Sequence, residues 1–246
     1  MLAAIAEGVP DADLTADDGI RHALWVVRDN TIIGQITTAF DAMEALYIAD
    51  GHHRSAAASR VAASRPGDAA AATFLAVIFP HRQMQIFDYN RVVRDLAGMT
   101  PEAFLARVAG SFRVTPSDTA VHPECPGSFG LYLAGQWYRL VIKPDLIPDD
   151  PVGRLDVSLL ADNLLAPVLG IEDPRRDTRI DFVGGIRGLA ELEKRVDSGE
   201  MAAAFSMHPT RMEDLMAVAD ASEVMPPKST WFEPKLVDGL VSLVLD

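Results

Sequence analysis

The chain has 246 residues, 49% of them hydrophobic and 23% charged, a balance that suits a globular protein with one large domain or two smaller ones. Its 35 acidic residues against 22 basic ones give a formal net charge of −13, which repels a phosphate backbone and argues against nucleic acid as a partner. The one cysteine, Cys125, excludes a disulfide framework and a cysteine metal cage and fits a cytoplasmic setting, and no apolar stretch reaches the roughly 18 residues of a membrane span. The opening MLAAIAEGVPDAD carries acid where a secretory signal carries positive charge, so neither export nor a membrane location is expected.

In chain order, HALWVV (22–27) reads as a strand ended by Asp29-Asn30, TIIGQITTAFDAM (31–43) as a helix and ALYIA (45–49) as a short buried strand. Residues 52–64 read as a helix stopped by Pro66-Gly67. TFLAVIF (73–79) has the continuous apolar pattern of a strand covered on both faces, and Thr100-Pro101 supplies an N-cap and a first-turn proline for a helix over 101–109. A first α/β unit is expected to close near residue 110. Beyond it, FGLYLAGQWYRLVI (129–142) predicts a hairpin turning near Gly135, DVSLLADNLLAPVL (156–169) a helix, and RIDFV (179–183) a strand. Thr210 with Glu213 has the spacing of a capping box for a helix over 211–219, and the tail 225–245, broken by prolines at its start, is expected to end in a strand. The alternation predicts a mixed α/β fold with a boundary at 112/113, giving units 1–112 and 113–246.

Five residues, Asp50, Gly51, His52, His53 and Arg54, concentrate polar chemistry between ALYIA and the helix over 52–64. With Asp50 near the N-cap and Gly51 permitting a tight bend, His52, His53 and Arg54 occupy the first helical turn. Cationic side chains there oppose the helix dipole by about 0.3–1 kcal/mol each, and a bound anion reverses that sign. The turn therefore suits phosphate. Asp50 beside it can accept a proton from an attacking hydroxyl or hold a magnesium ion, although the same residues also suit a plain cap and two surface histidines. A metal site made by His52 and His53 is set aside, because adjacent helical residues diverge by about 100° around the axis.

The stretch YIADGHHRSAAASR resembles the signature of the bacterial and archaeal family of unknown function DUF1015, and YNRVVRDLAGM (89–99), RIDFVGG (179–185), HPTRMEDLMAVAD (208–220) and VMPPKSTWFEPKLVDGL (224–240) resemble its further blocks. That family resembles a branch of the ParB and sulfiredoxin superfamily, whose free serine kinases carry a similar D-G-H-H-R turn. The resemblance implies a ParB/sulfiredoxin-like nucleotide-binding unit followed by a C-terminal α/β region. It implies phosphotransfer from ATP, with Mg2+, to the hydroxyl of free L-serine, giving O-phosphoserine. It places Asp50 as the acidic catalytic or magnesium-associated group with His53 in the catalytic set, Gly51 and His52 at the phosphates or substrate, and Arg54 gripping the phosphates. Members of the family are longer at the N-terminus, and the related kinases take a catalytic glutamate from upstream of the turn, where this chain has only Glu7 and Glu44. A substitute residue, a partner chain encoded upstream, or a noncatalytic truncated member are the corresponding expectations. A ParB-like nucleotide-binding regulator without metabolite kinase activity is the alternative, and a homo-oligomer remains open.

The second polar cluster is PPKST (226–230), where Lys228, Ser229 and Thr230 offer a cation and two hydroxyls that can close over a phosphate, without the glycine-rich approach of a P-loop. FVGGIRG (182–188) is not a dinucleotide fingerprint, and its glycines are expected to serve close packing. Asn90 and Arg91 are equally consistent with ligand contacts and with a strand edge. The small-molecule substrate expected is a serine-like hydroxyl compound.

Overall fold

The computed structural model describes residues 1–237 and 239–244, and its chain divides into two compact units: Met1–Ile78 with Lys235–Asp246, and Phe79–Pro234. The mixed α/β class expected from the sequence is the class observed.

In the first unit, α1 (Leu2–Ile5) precedes an antiparallel hairpin of β1 (Ala12–Thr15) and β2 (Arg21–Leu24), so the expected strand over 22–27 is shorter at its end. Asp29 then caps α2 (Asn30–Asp41), accepting from the N–H groups of Thr31 and Ile32, which is why the helix starts where the Asp-Asn pair lies. The helix expected over 52–64 is α3 (His52–Ser64), and it ends before Pro66 as that residue dictates. Two apolar runs depart from expectation. Neither 45–49 nor 73–79 forms a strand, and Leu46, Ile48, Phe74, Leu75, Val77 and Ile78 are exposed. A strand requires a neighbour to take its backbone hydrogen bonds, and no described strand pairs with either run.

The second unit is built on a six-stranded antiparallel sheet in the order β5 (Phe112–Ser117), β7 (Gln136–Ile142), β6 (Ser128–Leu133), β9 (Ala203–Met207), β4 (Tyr89–Val93), β8 (Ile180–Gly184). β3 (Gln85–Phe87) pairs separately with β10 (Trp231–Glu233). The 112/113 boundary is a different partition of the chain, because β4 on its near side is hydrogen-bonded to β8 and β9 on its far side. The hairpin of β6 and β7 turns at Ala134-Gly135, both with positive φ (50° and 81°), the two-residue turn whose twist matches its strands.

Side-chain alternation sends each strand to two cores. Val93, Phe129, Leu131, Leu133 and Phe205 pack with Phe104 and Val108 of α4 (Pro101–Val108) and with leucines of the helical stretch 156–169. Val92, Tyr132 and Ala204, each one residue out of phase, pack on the other face with Leu192 and Val196 of α7 (Leu189–Asp197). α4 starts as predicted, with Thr100 Oγ1 accepting from the Ala103 N–H at 3.3 Å. The stretch 156–169 is helical throughout, but as α5 (Asp156–Leu160), a π-helical turn (Ala161–Leu165) and α6 (Ala166–Leu169). Pro167 has no N–H to donate to the Asn163 carbonyl, which accounts for the irregular turn ahead of it.

The helix expected over 211–219 is α8 (Met212–Asp220), but no capping box forms. Thr210 Oγ1 donates instead to the Ser229 carbonyl at 2.9 Å, and Arg211 forks onto Asp214 one turn on. The strand expected at the end of the tail lies earlier, at β10, while 239–244 is irregular and residue 245 lies outside the described residues.

Candidate functional site

The polar turn of the first unit starts α3, but not with the cap expected. Gly51 is the N-cap residue, in the left-handed region at φ 87° and ψ 24°, and Asp50 precedes it. The Asp50 carboxylate accepts from the Gly51 N–H at 2.7 Å and lies 3.6 Å from the Lys235 ammonium, both groups well exposed. It therefore caps no N–H of the first helical turn, and among the described residues no side-chain cap is found there. The Arg54 guanidinium folds back over Gly51, occupying the space where a Cβ there would come within 3.3 Å of it. His52 and His53 are exposed on the same turn. Asp50, Gly51, His52, His53 and Arg54 thus form one continuous, solvent-facing group with uncapped helix N–H groups and a cation beside them, an arrangement open to an anion.

Lys228, Ser229 and Thr230 belong to the second unit. Lys228 adopts a left-handed backbone (φ 57°), its ammonium lies 5.6 Å from the centre of the Tyr89 ring, and its carbonyl accepts from Arg91 at 2.8 Å. The Ser229 side chain is buried and donates to the Pro226 carbonyl, so this hydroxyl is engaged inside the loop. Thr230 is half-buried.

Arg91 and Asn90 lie in a central strand, not at an edge. Asn90 Oδ1 accepts from the Met207 N–H at 2.9 Å, tying β4 to β9, while its Nδ2 is buried without a hydrogen-bond partner among the described residues. Arg91 is 4% exposed, donates to the carbonyls of Tyr89 and Lys228, and lies 5.1 Å from the Phe182 ring centre. Burial pushes its guanidinium down to about 10, still charged near neutrality. Two of the 182–188 glycines, Gly184 and Gly185, serve packing, as expected, whereas Gly188 has open space around it and a positive φ of 72°. A Cβ on Gly185 would fall 1.9 Å from the Asp88 carboxylate, and one on Gly184 2.8 Å from the Trp231 ring.

A cleft of about 160 Å³ in the same unit was not foreseen. Asp156, Arg154, His208, Thr210, Arg211 and Asp214 contribute to its wall. Asp156 Oδ1 accepts from the Gly127 N–H at 2.7 Å, and Oδ2 is buried with no hydrogen-bond partner among the described residues. Burial pushes the Asp156 carboxyl up to about 7, against the opposing pull of the Gly127 bond and Arg211. Burial also pushes the half-buried His208 imidazole below its ordinary value, while the Arg211 fork holds the Asp214 carboxyl low. Pattern reading missed the cleft because Arg154 and Asp156 lie far along the chain from the His208–Asp214 stretch, and only the folded chain brings the two together.

A family model described as "Protein of unknown function (DUF1015)" matches residues 1–158, more than half of the chain and including the whole Asp50–Arg54 turn. The chain belongs to this family. No curated protein matches this DUF1015 chain. Among solved structures, it is similar to a free serine kinase in complex with AMP, at 14% identity over 85% of this chain and 81% of the other, with a TM-score of 0.45. It is also similar to a conserved hypothetical protein from Pyrococcus furiosus, at 15% identity over 82% and 81% of the two chains, with a TM-score of 0.44. A free serine kinase variant in complex with ADP matches at 14% identity over 82% of this chain and 78% of that one, with a TM-score of 0.43. None of the described helices of the DUF1015 chain is long and apolar enough to cross a membrane.

Proposed function

We propose that this DUF1015 chain is an ATP-dependent kinase that phosphorylates the hydroxyl of free L-serine to O-phosphoserine, with the Asp50–Arg54 turn as the site of the nucleotide phosphates. The observation that carries the reading is the start of α3. It has no side-chain cap, a left-handed glycine lets the backbone bend into the helix, and the Arg54 guanidinium lies against that glycine. A phosphate there takes charge-assisted hydrogen bonds from backbone N–H groups and from Arg54, with His52 and His53 orienting phosphate or acceptor.

Asp50 is the acid of the turn, and its exposed carboxylate, held by the Gly51 N–H and near Lys235, is the group in this reading that accepts the proton of an attacking hydroxyl. Mg2+ fits the same group, because this ion commonly takes one or two protein carboxylates and completes its shell with phosphate oxygens and water. When bound, it would neutralise charge on the transferring phosphoryl group. The superfamily relationship to ParB and sulfiredoxin, the cytoplasmic location and a partner chain or homo-oligomer belong to this proposal as well.

Arg54→Ala is expected to weaken ATP binding by about 1.5–3 kcal/mol, the range for a hydrogen bond to a charged group, while melting like the parent because Arg54 is exposed. Calorimetric titration with ATP measures this, and unchanged affinity in a folded variant removes the phosphate turn. Asp50→Asn keeps an acceptor for the Gly51 N–H and loses an exposed ion pair worth about 0–1 kcal/mol, so stability should hardly move. Serine-dependent ATP turnover should fall about 100-fold or more, the scale of general-base catalysis. Nucleotide binding with no phosphoserine formed under any acceptor condition would favour the regulator over the kinase.

A further inference from the structure

We propose that the cleft lined by Asp156 and Arg154 binds a small α-amino acid as its zwitterion, the ammonium group on Asp156 Oδ2 and the carboxylate on Arg154. The inference stands on this cleft alone and does not depend on the nucleotide reading.

Asp156 presents one oxygen to the Gly127 N–H and leaves the other buried beside the cavity with nothing to accept from. A buried acceptor without a donor is unfavourable, more so when charged, so this oxygen suits a donor that the described residues do not supply. Arg211 is not that donor, because it forks onto Asp214 at 2.6 and 2.8 Å. Arg154 lines the same cleft, is exposed, and makes no side-chain hydrogen bond or ion pair among the described residues. Arg211 and Asp214 are tied to each other by hydrogen bonds, whereas Asp156 Oδ2 and the Arg154 guanidinium, which feel Arg211 and Asp214 only through space, are the acid and base of the cleft left without a hydrogen-bond partner among the described residues.

A ligand complementary to that pair carries a cationic donor and an anion a short distance apart. The volume, about 160 Å³, is below the roughly 300 Å³ at which sites for drug-sized ligands begin, which limits the ligand to a few heavy atoms. The ammonium also supplies the countercharge that makes ionisation of Asp156 favourable. The charged or titratable groups lining the cleft with Asp156 are Arg154, Arg211, Asp214 and His208, with His122 next to His208, and burial lowers the His208 imidazole while it raises the Asp156 carboxyl.

Glycine and L-alanine are suitable probes because neither has a hydroxyl to phosphorylate, and the titration contains no nucleotide. Calorimetry on the full chain near pH 8 should show both binding, with propionate and ethylamine each at least about 10-fold weaker. Asp156→Asn and Arg154→Ala should each weaken glycine about 10-fold or more. Arg154→Ala alters an exposed side chain and tests the carboxylate half of the site independently of Asp156. Affinity for glycine should also fall as pH is lowered through about 7, as Asp156 takes up its proton. Absence of heat with both amino acids up to about 10 mM, or equal glycine affinity in parent and Arg154→Ala, overturns the assignment.

Discussion

Asp156→Asn is expected to make the protein more stable than the parent at about pH 8 and to remove a pH dependence that the parent shows between about 4 and 7. The Asp156 carboxyl has an ordinary value of 3.8 and is raised to about 7 in the fold, chiefly by burial. Because the folded chain holds this proton more tightly than the unfolded chain, its contribution to stability is fully present below about pH 4. It is lost as pH rises through about 7, and the loss reaches on the order of 4 kcal/mol for a shift of this size. Asparagine cannot ionise and keeps an oxygen for the Gly127 N–H, so the variant escapes the loss. Urea denaturation of both proteins from about pH 5 to 8 measures the difference, which should widen with pH; parallel curves would show that this carboxyl ionises freely in the fold. A saturating amino acid should narrow the gap at high pH, since it gives the ionised carboxylate a partner.

Arg91→Ala is expected to cost about 3–5 kcal/mol, which a domain of ordinary stability barely tolerates. The side chain is buried in the middle of the sheet, and its loss strands two carbonyls, those of Tyr89 and Lys228, and removes the cation facing the Phe182 ring. The bond to Lys228 spans 137 positions of sequence and holds the Lys228–Thr230 loop to β4. Arg91→Lys keeps the charge but cannot fork to two carbonyls, so it should recover only part of the loss. Denaturation midpoints rank the three proteins, and limited proteolysis should cut near Lys228 in Arg91→Lys while the sheet remains intact. Equal midpoints for parent and Arg91→Lys would mean that one of the two carbonyl bonds carries no weight.

Elements with a local cause were legible in the sequence. Thr100-Pro101 starts α4, Asp29 starts α2, Pro66 stops α3, and Ala134-Gly135 turns the hairpin, each through a group acting within four residues of itself. Where two local solutions compete, the sequence could not choose. Thr210 has the spacing for a capping box and instead bonds the Ser229 carbonyl, 19 residues away. ALYIA and TFLAVIF have the composition of buried strands, but composition does not supply the second strand on which pairing depends.

The candidate sites divide in the same way. The Asp50–Arg54 turn was visible because its five residues are consecutive and need only a helix start to come together, and the family match covers them. The amino-acid sequence by itself determined that turn, the Asp29 and Thr100 caps, the hairpin and the mixed α/β class. The tertiary structure alone decided that Arg91 and Asn90 lie inside the sheet, that Gly184 and Gly185 are spaces for Trp231 and Asp88, and that Asp156 meets Arg154, His208 and Arg211 around one cleft. The physical reason is range: caps and turns are set by bonds between near neighbours, whereas burial, and with it the raised Asp156 carboxyl, depends on segments about 50 residues apart being packed together, which no local pattern encodes.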